Sequence, residues 1–172
     1  MVDPFVELSK RKVLLILRKK APLGYGFRAK SLMEKHKEYS KFTTALKVRP
    51  DDIDMFNHVH NSKYLDYVLA ARYDQMETCY GMSMEEFMEL GYGWVVKTAH
   101  VEFKRPLTLG ESFTVTTWIV SMDEKSSKVK FEILSSKTGK ICSDGWFDYA
   151  LIDIQTGRGM KITEDMIEKY SI

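Results

Sequence analysis

Residues 62–80 have the sequence SKYLDYVLAARYDQMETCY, which predicts a helix of about five turns that ends at Gly81. Five side chains, four of them apolar, recur along it at the i, i+3 and i+4 spacing of one helix face. They are Leu65, Val68, Leu69, Arg72 and Met76. Because apolar positions cover more than half of the circumference, we expect other parts of the chain to wrap this helix.

The segments around the helix have strand-like patterns. FTTALKVRP, residues 42–50, alternates apolar and polar positions, and Pro50 ends it. Beyond a short helical stretch (SMEEFMEL) and a GYG hinge, four strand-like segments follow, separated by turn residues. They are residues 94–103, 112–123, 127–137 and 140–154. This order predicts an α+β fold in which a curved antiparallel sheet wraps one long central helix.

The composition is that of a globular protein. The chain has 172 residues, of which 44% are hydrophobic and 29% charged, so wholesale disorder is excluded. Its two cysteines, Cys79 and Cys142, form no CxxC pair, which favours reduced thiols and a cytoplasmic location. The longest purely apolar run of the first 40 residues is residues 13–17, whereas a membrane span needs about 20 residues. We expect no membrane span.

The charge is unevenly distributed along the chain. Residues 1–41 carry a net charge of +7, which leaves −5 for the rest. This division predicts a basic N-terminal extension in residues 1–40 and one domain in residues 41–172. The basic residues either attract phosphate groups or form a solvated helix face, and the sequence leaves both interpretations open.

Two stretches resemble one protein family. DIDMFNHVHNSKYLDYVLAARYDQM, residues 52–76, resembles the signature loop and helix of the hotdog-fold acyl thioesterases, in particular the 4-hydroxybenzoyl-CoA thioesterase class and the related plant acyl-ACP thioesterases. HVEFKRPLTLGESFTVTTWI, residues 100–119, resembles the family's strand, Arg/Lys-Pro corner and Gly-Glu turn. The resemblance covers about residues 41–160. It implies a hotdog fold and the hydrolysis of acyl-CoA or acyl-carrier-protein thioesters.

The resemblance also implies where the chemistry takes place. Asp54 matches the family's catalytic carboxylate, as nucleophile or general base, and Asp52 matches a carboxylate that fixes the loop. His58 matches a histidine that orients the carboxylate or relays a proton, although a purely structural histidine is the alternative. The Asn61 backbone N–H matches the group that polarises the thioester carbonyl.

General physical chemistry agrees with the last assignment. The first N–H groups of a helix lack partners within it and lie at its positive end, so they suit a developing oxyanion. Asn61 is also a candidate N-cap by its side chain. We expect substrate-binding residues in the first turn and at the corner: Ser62, Tyr64, Lys104 and Arg105. Lys104 and Arg105 suit CoA phosphates, with solvated corner residues as the alternative.

Departures from the family pattern narrow the expected substrate. The acyl-ACP branch has an Asn two residues after its Asp, where this chain has Phe56, and a Glu at the corner, where it has Pro106. These differences favour acyl-CoA. An enoyl-thioester hydratase and a non-enzymatic acyl-CoA-sensing module are the alternatives. The spacing from Asp54 to His58 differs from the hydratase motif, and the extension is short for a DNA-binding helix-turn-helix with its linker.

The sequence also bears on cofactors and partners. His and Cys occur at no metal-ligand spacing, and P-loop, GxGxxG and GxSxG motifs are missing, so we expect no cofactor. We expect no nucleic-acid partner. A single hotdog sheet leaves an unpaired edge, and the family's active site forms between subunits, so a homodimer or homotetramer is expected.

Overall fold

The alternating segments form strands, and the long apolar pattern forms a helix, each within three residues of the predicted bounds. The structure, a computed structural model, describes residues 39–171. Its elements in chain order are β1 (Phe42–Lys47), a 3-10 turn (Pro50–Asp52), α1 (Asn61–Thr78), α2 (Met84–Glu89), β2 (Tyr92–Phe103), β3 (Ser112–Met122), β4 (Ser127–Ser135), β5 (Ile141–Asp153) and α3 (Glu164–Lys169).

The five strands form one antiparallel sheet in the order β1-β3-β4-β5-β2. β1 and β2 therefore lie at its two edges. β2 pairs with β5 through a register that places Val101 opposite Gly145. A Cβ atom at Gly145 would lie 2.0 Å from the carbonyl oxygen of His100, so glycine is required for these two strands to approach each other.

The long helix α1 packs on one face of this sheet, which confirms the α+β arrangement. Its buried side chains form a single stripe along the helix. They are Tyr64, Tyr67, Val68, Ala71, Gln75 and Met76. On the side of the helix away from this stripe, Leu69 is 46% exposed and Tyr73 is 47% exposed.

The buried stripe includes polar side chains because each finds a hydrogen-bond partner. The Gln75 amide nitrogen donates to the Phe42 carbonyl and to the Thr44 hydroxyl, both at 3.2 Å. The Thr117 hydroxyl donates to the Gln75 amide oxygen. These bonds tie α1 to β1 and β3 across the core and remove the penalty of burying an amide. They thereby hold Gln75 in the core.

The predicted N-terminal extension lies outside the described residues apart from Tyr39 and Ser40. Among the helices of residues 39–171, none combines the length and the apolar character needed to cross a membrane.

Candidate functional site

A closed loop between the 3-10 turn and α1 holds Asp54. The backbone N–H of Asp54 donates to the His58 carbonyl at 2.8 Å, and that of Asn57 donates to the Asp54 carbonyl at 3.1 Å. Asn57 has a φ of 60°, in the left-handed region that asparagine tolerates better than most residues. Val59 donates to the Leu107 carbonyl at 2.9 Å, which fixes the loop against the segment before β3.

One oxygen of the Asp54 carboxylate is fixed by the loop and the other is free. Oδ1 accepts the backbone N–H of Phe56 at 2.8 Å and that of His58 at 3.2 Å. Within residues 39–171, Oδ2 accepts no hydrogen bond. The carboxylate is therefore held in one orientation while one oxygen remains available for chemistry.

Asp52 has a different environment, because it is only 1% exposed. Tyr67 donates its hydroxyl to Asp52 Oδ2 at 2.8 Å, and Arg49 Nε donates to the same oxygen at 3.3 Å. The Lys63 ammonium lies 3.6 Å from Oδ1. Burial by itself would raise the pKa of Asp52, but the hydrogen bonds from Arg49 and Tyr67 outweigh it and hold the pKa below its usual value. Asp52 thus joins the 3-10 turn to α1.

His60 caps the N-terminus of α1. Its Nδ1 accepts the backbone N–H of Ser62 at 3.3 Å and lies 2.9 Å from the Ser62 hydroxyl. The expectation that Asn61 acts as the N-cap through its side chain is therefore wrong, since Asn61 is the first residue of the helix. Its backbone N–H donates to no acceptor in the part of the chain that the structure describes. That N–H is free to bind a ligand at the positive end of the helix.

The corner after β2 places two cations beside this loop. The backbone N–H groups of Lys104 and Arg105 donate to the Cys142 carbonyl at 2.7 and 3.1 Å, which fixes the corner. The Lys104 ammonium pairs with Asp144, which raises its pKa. Arg105 Nη1 donates to the Ile141 carbonyl at 2.8 Å. Within residues 39–171, no carboxylate lies within 4.0 Å of the Arg105 guanidinium.

A surface pocket of about 230 Å³ brings most of the predicted site residues together. Six of them line it: Asp54, His58, Asn61, Tyr64, Lys104 and Arg105. Ser62 does not, because its hydroxyl lies against the His60 ring. The His58 imidazole makes no hydrogen bond to any described residue, and it is the His58 backbone that contacts Asp54.

Tyr64 and Phe103 form the apolar wall of the pocket. The Tyr64 hydroxyl accepts the Leu107 N–H at 3.1 Å, and its ring centroid lies 5.3 Å from that of Phe103. Burial raises the pKa of Tyr64. Phe103 was not among the predicted site residues. It ends β2 on the side of the sheet that Val101 also faces, and this alternation was the signal available in the sequence.

The geometry suits the activation of a carbonyl compound. A carboxylate with one free oxygen and a free N–H at a helix start line the same pocket, beside an apolar wall and an arginine at the rim. A carbonyl oxygen at the N–H would be polarised, while the carboxylate supplies a base or a nucleophile. Within residues 39–171, no group of three or more His, Cys, Asp or Glu side chains could hold a metal ion.

Comparison with known proteins gives consistent matches. The profile of the Thioesterase-like superfamily matches residues 48–170. The long-chain acyl-CoA thioesterase FadM of Escherichia coli K12 is 25% identical over 126 residues, which cover 73% of this chain and 94% of FadM. The structure of YbaW, described as a probable thioesterase of Escherichia coli, matches with a TM-score of 0.66 and 25% identity, over 75% of this chain and 96% of YbaW. A Staphylococcus aureus protein solved in complex with CoA matches with a TM-score of 0.67 and 24% identity, over 76% and 82% of the two chains.

Proposed function

The chain belongs to the Thioesterase-like superfamily, and from this premise we propose that it hydrolyses acyl-CoA thioesters to a free acid and CoA, with Asp54 as the catalytic carboxylate. The resemblance seen in the sequence is thereby confirmed at the level of the family. The observation that carries the proposal is that Asp54, with one carboxylate oxygen free of hydrogen bonds in residues 39–171, and Asn61, the first residue of α1, line the same pocket. The FadM match adds support, because its name specifies acyl-CoA and this chain covers 94% of its length.

The proposed reaction uses both the Asn61 N–H and the Asp54 carboxylate. The thioester oxygen accepts the Asn61 N–H, so the partial positive charge of the helix start stabilises the developing oxyanion. On the first route, Asp54 Oδ2 takes a proton from water while the oxygen of that water bonds to the carbonyl carbon. On the second route, Asp54 Oδ2 itself bonds to the carbonyl carbon. The C–S bond breaks, and CoA leaves as a thiolate that takes up a proton. On the second route, water then hydrolyses the anhydride formed on Asp54.

His58 and the first turn of α1 support this chemistry in the proposal. The backbone N–H of His58 helps to orient the Asp54 carboxylate. The His58 imidazole, which has no hydrogen bond within residues 39–171, is available to move a proton between Asp54 and the leaving thiolate. Ser62 stabilises the His60 cap and with it the helix start that carries the Asn61 N–H. Tyr64 contributes a wall against which the acyl portion next to the thioester packs.

The charges at the pocket rim favour CoA as the thiol carrier. Arg105 keeps a planar guanidinium without a carboxylate partner in residues 39–171, and that shape and charge suit a phosphate. Lys104 is already paired with Asp144, so it contributes less net charge. An acyl-carrier protein presents a single phosphate on its prosthetic group, whereas CoA presents several. CoA therefore gains more favourable charge interaction with this rim.

We also propose that the protein acts as a homodimer or a larger homo-oligomer. Within residues 39–171, the outer edge of β2 has no strand partner over its 12 residues. Val95, Val96 and Phe103 on this strand are 38%, 42% and 48% exposed, and the last of them lines the Asp54 pocket. A second copy that pairs along β2 would cover this edge and close the side of the pocket. Sedimentation of an active monomer would contradict this proposal.

The substrate proposal is tested by thiol release from matched thioesters. We expect hydrolysis of acyl-CoA, and a higher KM for acyl-pantetheine, which keeps the thioester but lacks the phosphates that Arg105 would bind. An acyl-carrier protein with the same acyl group tests the competing carrier. Binding of acyl-CoA without thiol release would support the sensing alternative. If the protein releases CoA from no acyl-CoA, whatever its acyl group, the proposal is contradicted.

A further inference from the structure

The strand residues that point away from α1 form a second face of the sheet, the outer face. Successive side chains of a strand point to opposite faces, so the outer-face residues alternate with the buried ones. In β4, Val129, Phe131 and Ile133 are buried, which places Lys130 and Glu132 on the outer face. The strand register then aligns the outer-face residues of neighbouring strands in rows that cross the sheet.

One of these rows, the basic row, alternates basic and aromatic side chains. It consists of His100, Trp146, Lys130 and Trp118, which the register aligns across β2, β5, β4 and β3. The His100 ring stacks on Trp146 with the ring centroids 5.8 Å apart, and the Lys41 ammonium lies 4.2 Å from the centre of the Trp118 ring. Within residues 39–171, Lys130 forms no ion pair, so its charge is available to an anionic partner.

The next row, the acidic row, carries carboxylates. It consists of Glu102, Asp144 and Glu132 on β2, β5 and β4, and Thr116 continues it on β3. The row lies two residues along each strand from the basic row, which is about 6.6 Å at a rise of about 3.3 Å per residue. Lys104 pairs with Glu102 at 3.4 Å and also with Asp144. Glu132 forms no ion pair with any described residue. The outer face therefore carries two parallel stripes of opposite charge.

The size and the composition of the outer face suit a protein partner. Trp118 and Trp146 are only partly buried, and tryptophan is enriched in protein interfaces. Five strands about 4.8 Å apart, with the nine residues of β4 as the length, give the face an area of about 700 Å². This area is close to the roughly 800 Å² that each partner buries in a standard interface. A cleft of about 390 Å³, lined by residues of both rows, has room for side chains of the partner.

The two rows select the partner and its orientation. A two-fold axis that lies in the interface, across the strands and between the rows, sets the acidic row of each copy over the basic row of the other. Because this rotation leaves a position along the row unchanged, Glu132 faces Lys130 of the second copy, and Glu102 faces its His100. A two-fold axis along the strands would set each row over itself and oppose like charges. The face is thus complementary to itself in one orientation.

We propose that the outer face of the sheet binds the outer face of a second copy of this chain, with the acidic row of each copy over the basic row of the other. The strands of the two sheets run antiparallel to each other, and the sheets pack in the aligned arrangement. Lys130 and Glu132 form two equivalent ion pairs across the axis, and Trp118 packs over Thr116 of the second copy. This interface is separate from the β2 edge, and it does not rest on the proposed hydrolysis.

The first test is the mass of the full-length protein in sedimentation equilibrium, with Lys130→Glu and Glu132→Lys as separate variants. Each charge reversal opposes like charges at both equivalent places of the interface. We expect each variant to associate at least about tenfold more weakly, so that the mass of the assembly falls to half that of the wild type. A wild type that sediments as a monomer, or either variant associating like the wild type, would overturn the proposal.

Mixing the two variants tests whether the partner is a second copy. In the mixture, the two like charges of Lys130→Glu face the two opposite charges of Glu132→Lys, so the full mass should return. The double variant Lys130→Glu/Glu132→Lys exchanges the two charges within one chain and should also associate like the wild type. An unlike partner, or an interface elsewhere on the molecule, predicts no recovery in either experiment, and that result would refute the proposal.

A matched control separates this interface from a general effect of charge. Lys169→Glu makes the same change of charge on α3, outside the sheet, and should leave the mass unchanged. If Lys169→Glu also halves the mass, net charge is the cause and the proposed interface is refuted. A protein that hydrolyses no acyl-CoA but recovers its mass in the mixture would contradict the proposed function and support this interface.

Discussion

Asp52→Asn should destabilise the protein while leaving its chemistry largely intact. The substitution keeps the size of a side chain that is 1% exposed and removes the charge that accepts the Tyr67 hydroxyl and faces Lys63. Hydrogen bonds to charged groups contribute about 1.5–3 kcal/mol, and asparagine keeps one acceptor oxygen, so we expect a loss of about 2 kcal/mol. For a domain of this size, that loss lowers the Tm by roughly 4–8 °C.

The lowered pKa of Asp52 predicts how the difference in unfolding free energy between the wild type and Asp52→Asn depends on pH. The pKa of Asp52 is lowered from its ordinary value of 3.8, so the folded state holds its proton less tightly than the unfolded state does. The stabilisation is therefore fully present above the unfolded pKa and is lost as the pH falls through the lower, folded pKa. The gap in unfolding free energy between the wild type and Asp52→Asn should close only below about pH 4.

Urea unfolding of both proteins, followed by circular dichroism, measures this difference. Asp51→Asn is the matched control, because Asp51 is exposed and, within residues 39–171, forms an ion pair only with Arg49, at 3.5 Å. Its substitution should therefore change the unfolding free energy by less than about 0.5 kcal/mol. Asp52→Asn that unfolds like Asp51→Asn would refute the anchoring role. Loss of turnover in a fully folded Asp52→Asn would show that the catalytic carboxylate is Asp52.

Three further predictions concern the site and the domain boundary. His58→Ala should lower kcat about tenfold, less than the loss of a general base, and a drop beyond a thousandfold would make the imidazole the base itself. Arg105→Gln should raise the KM for acyl-CoA severalfold at low salt and leave kcat unchanged, whereas Lys104→Gln should raise the KM less, because Lys104 is already paired with Asp144. Equal effects on the KM would contradict this reason. A chain that begins at Tyr39 should fold and hydrolyse acyl-CoA, and an insoluble or inactive product would contradict the proposed boundary.

The sheet and the long helix could be predicted from the sequence because both depend on local periodicity. The alternation in residues 112–123 fixes which side chains face the core, whatever strand lies alongside. The order of the strands in the sheet had to come from the structure, since strands of similar pattern can pair in several ways. Leu69 was predicted on the apolar face of the helix and is 46% exposed, because the periodicity of a helix that is apolar over more than half of its circumference does not show which part of that face meets the sheet.

The site could be predicted in part. Six residues expected from the signature loop and the corner line one pocket, because a short closed loop and a fixed corner leave few geometries. The helix cap at His60 could not be predicted, since histidine is not among the preferred N-cap residues and its role depends on a ring orientation. A second cavity is lined by α1, α2, β2, β3, β4, β5 and Tyr170 after α3, and no local pattern in the sequence indicates it.

The most direct test of the account is the turnover of acyl-CoA by Asp54→Asn, measured as thiol release next to urea unfolding of the same sample. The substitution keeps an oxygen for the Phe56 and His58 N–H groups, so the unfolding free energy should stay within about 0.5 kcal/mol of the wild type. It removes the base or nucleophile, so kcat should fall at least about a hundredfold. A folded Asp54→Asn with near-wild-type turnover would contradict the central claim that this carboxylate carries out the hydrolysis.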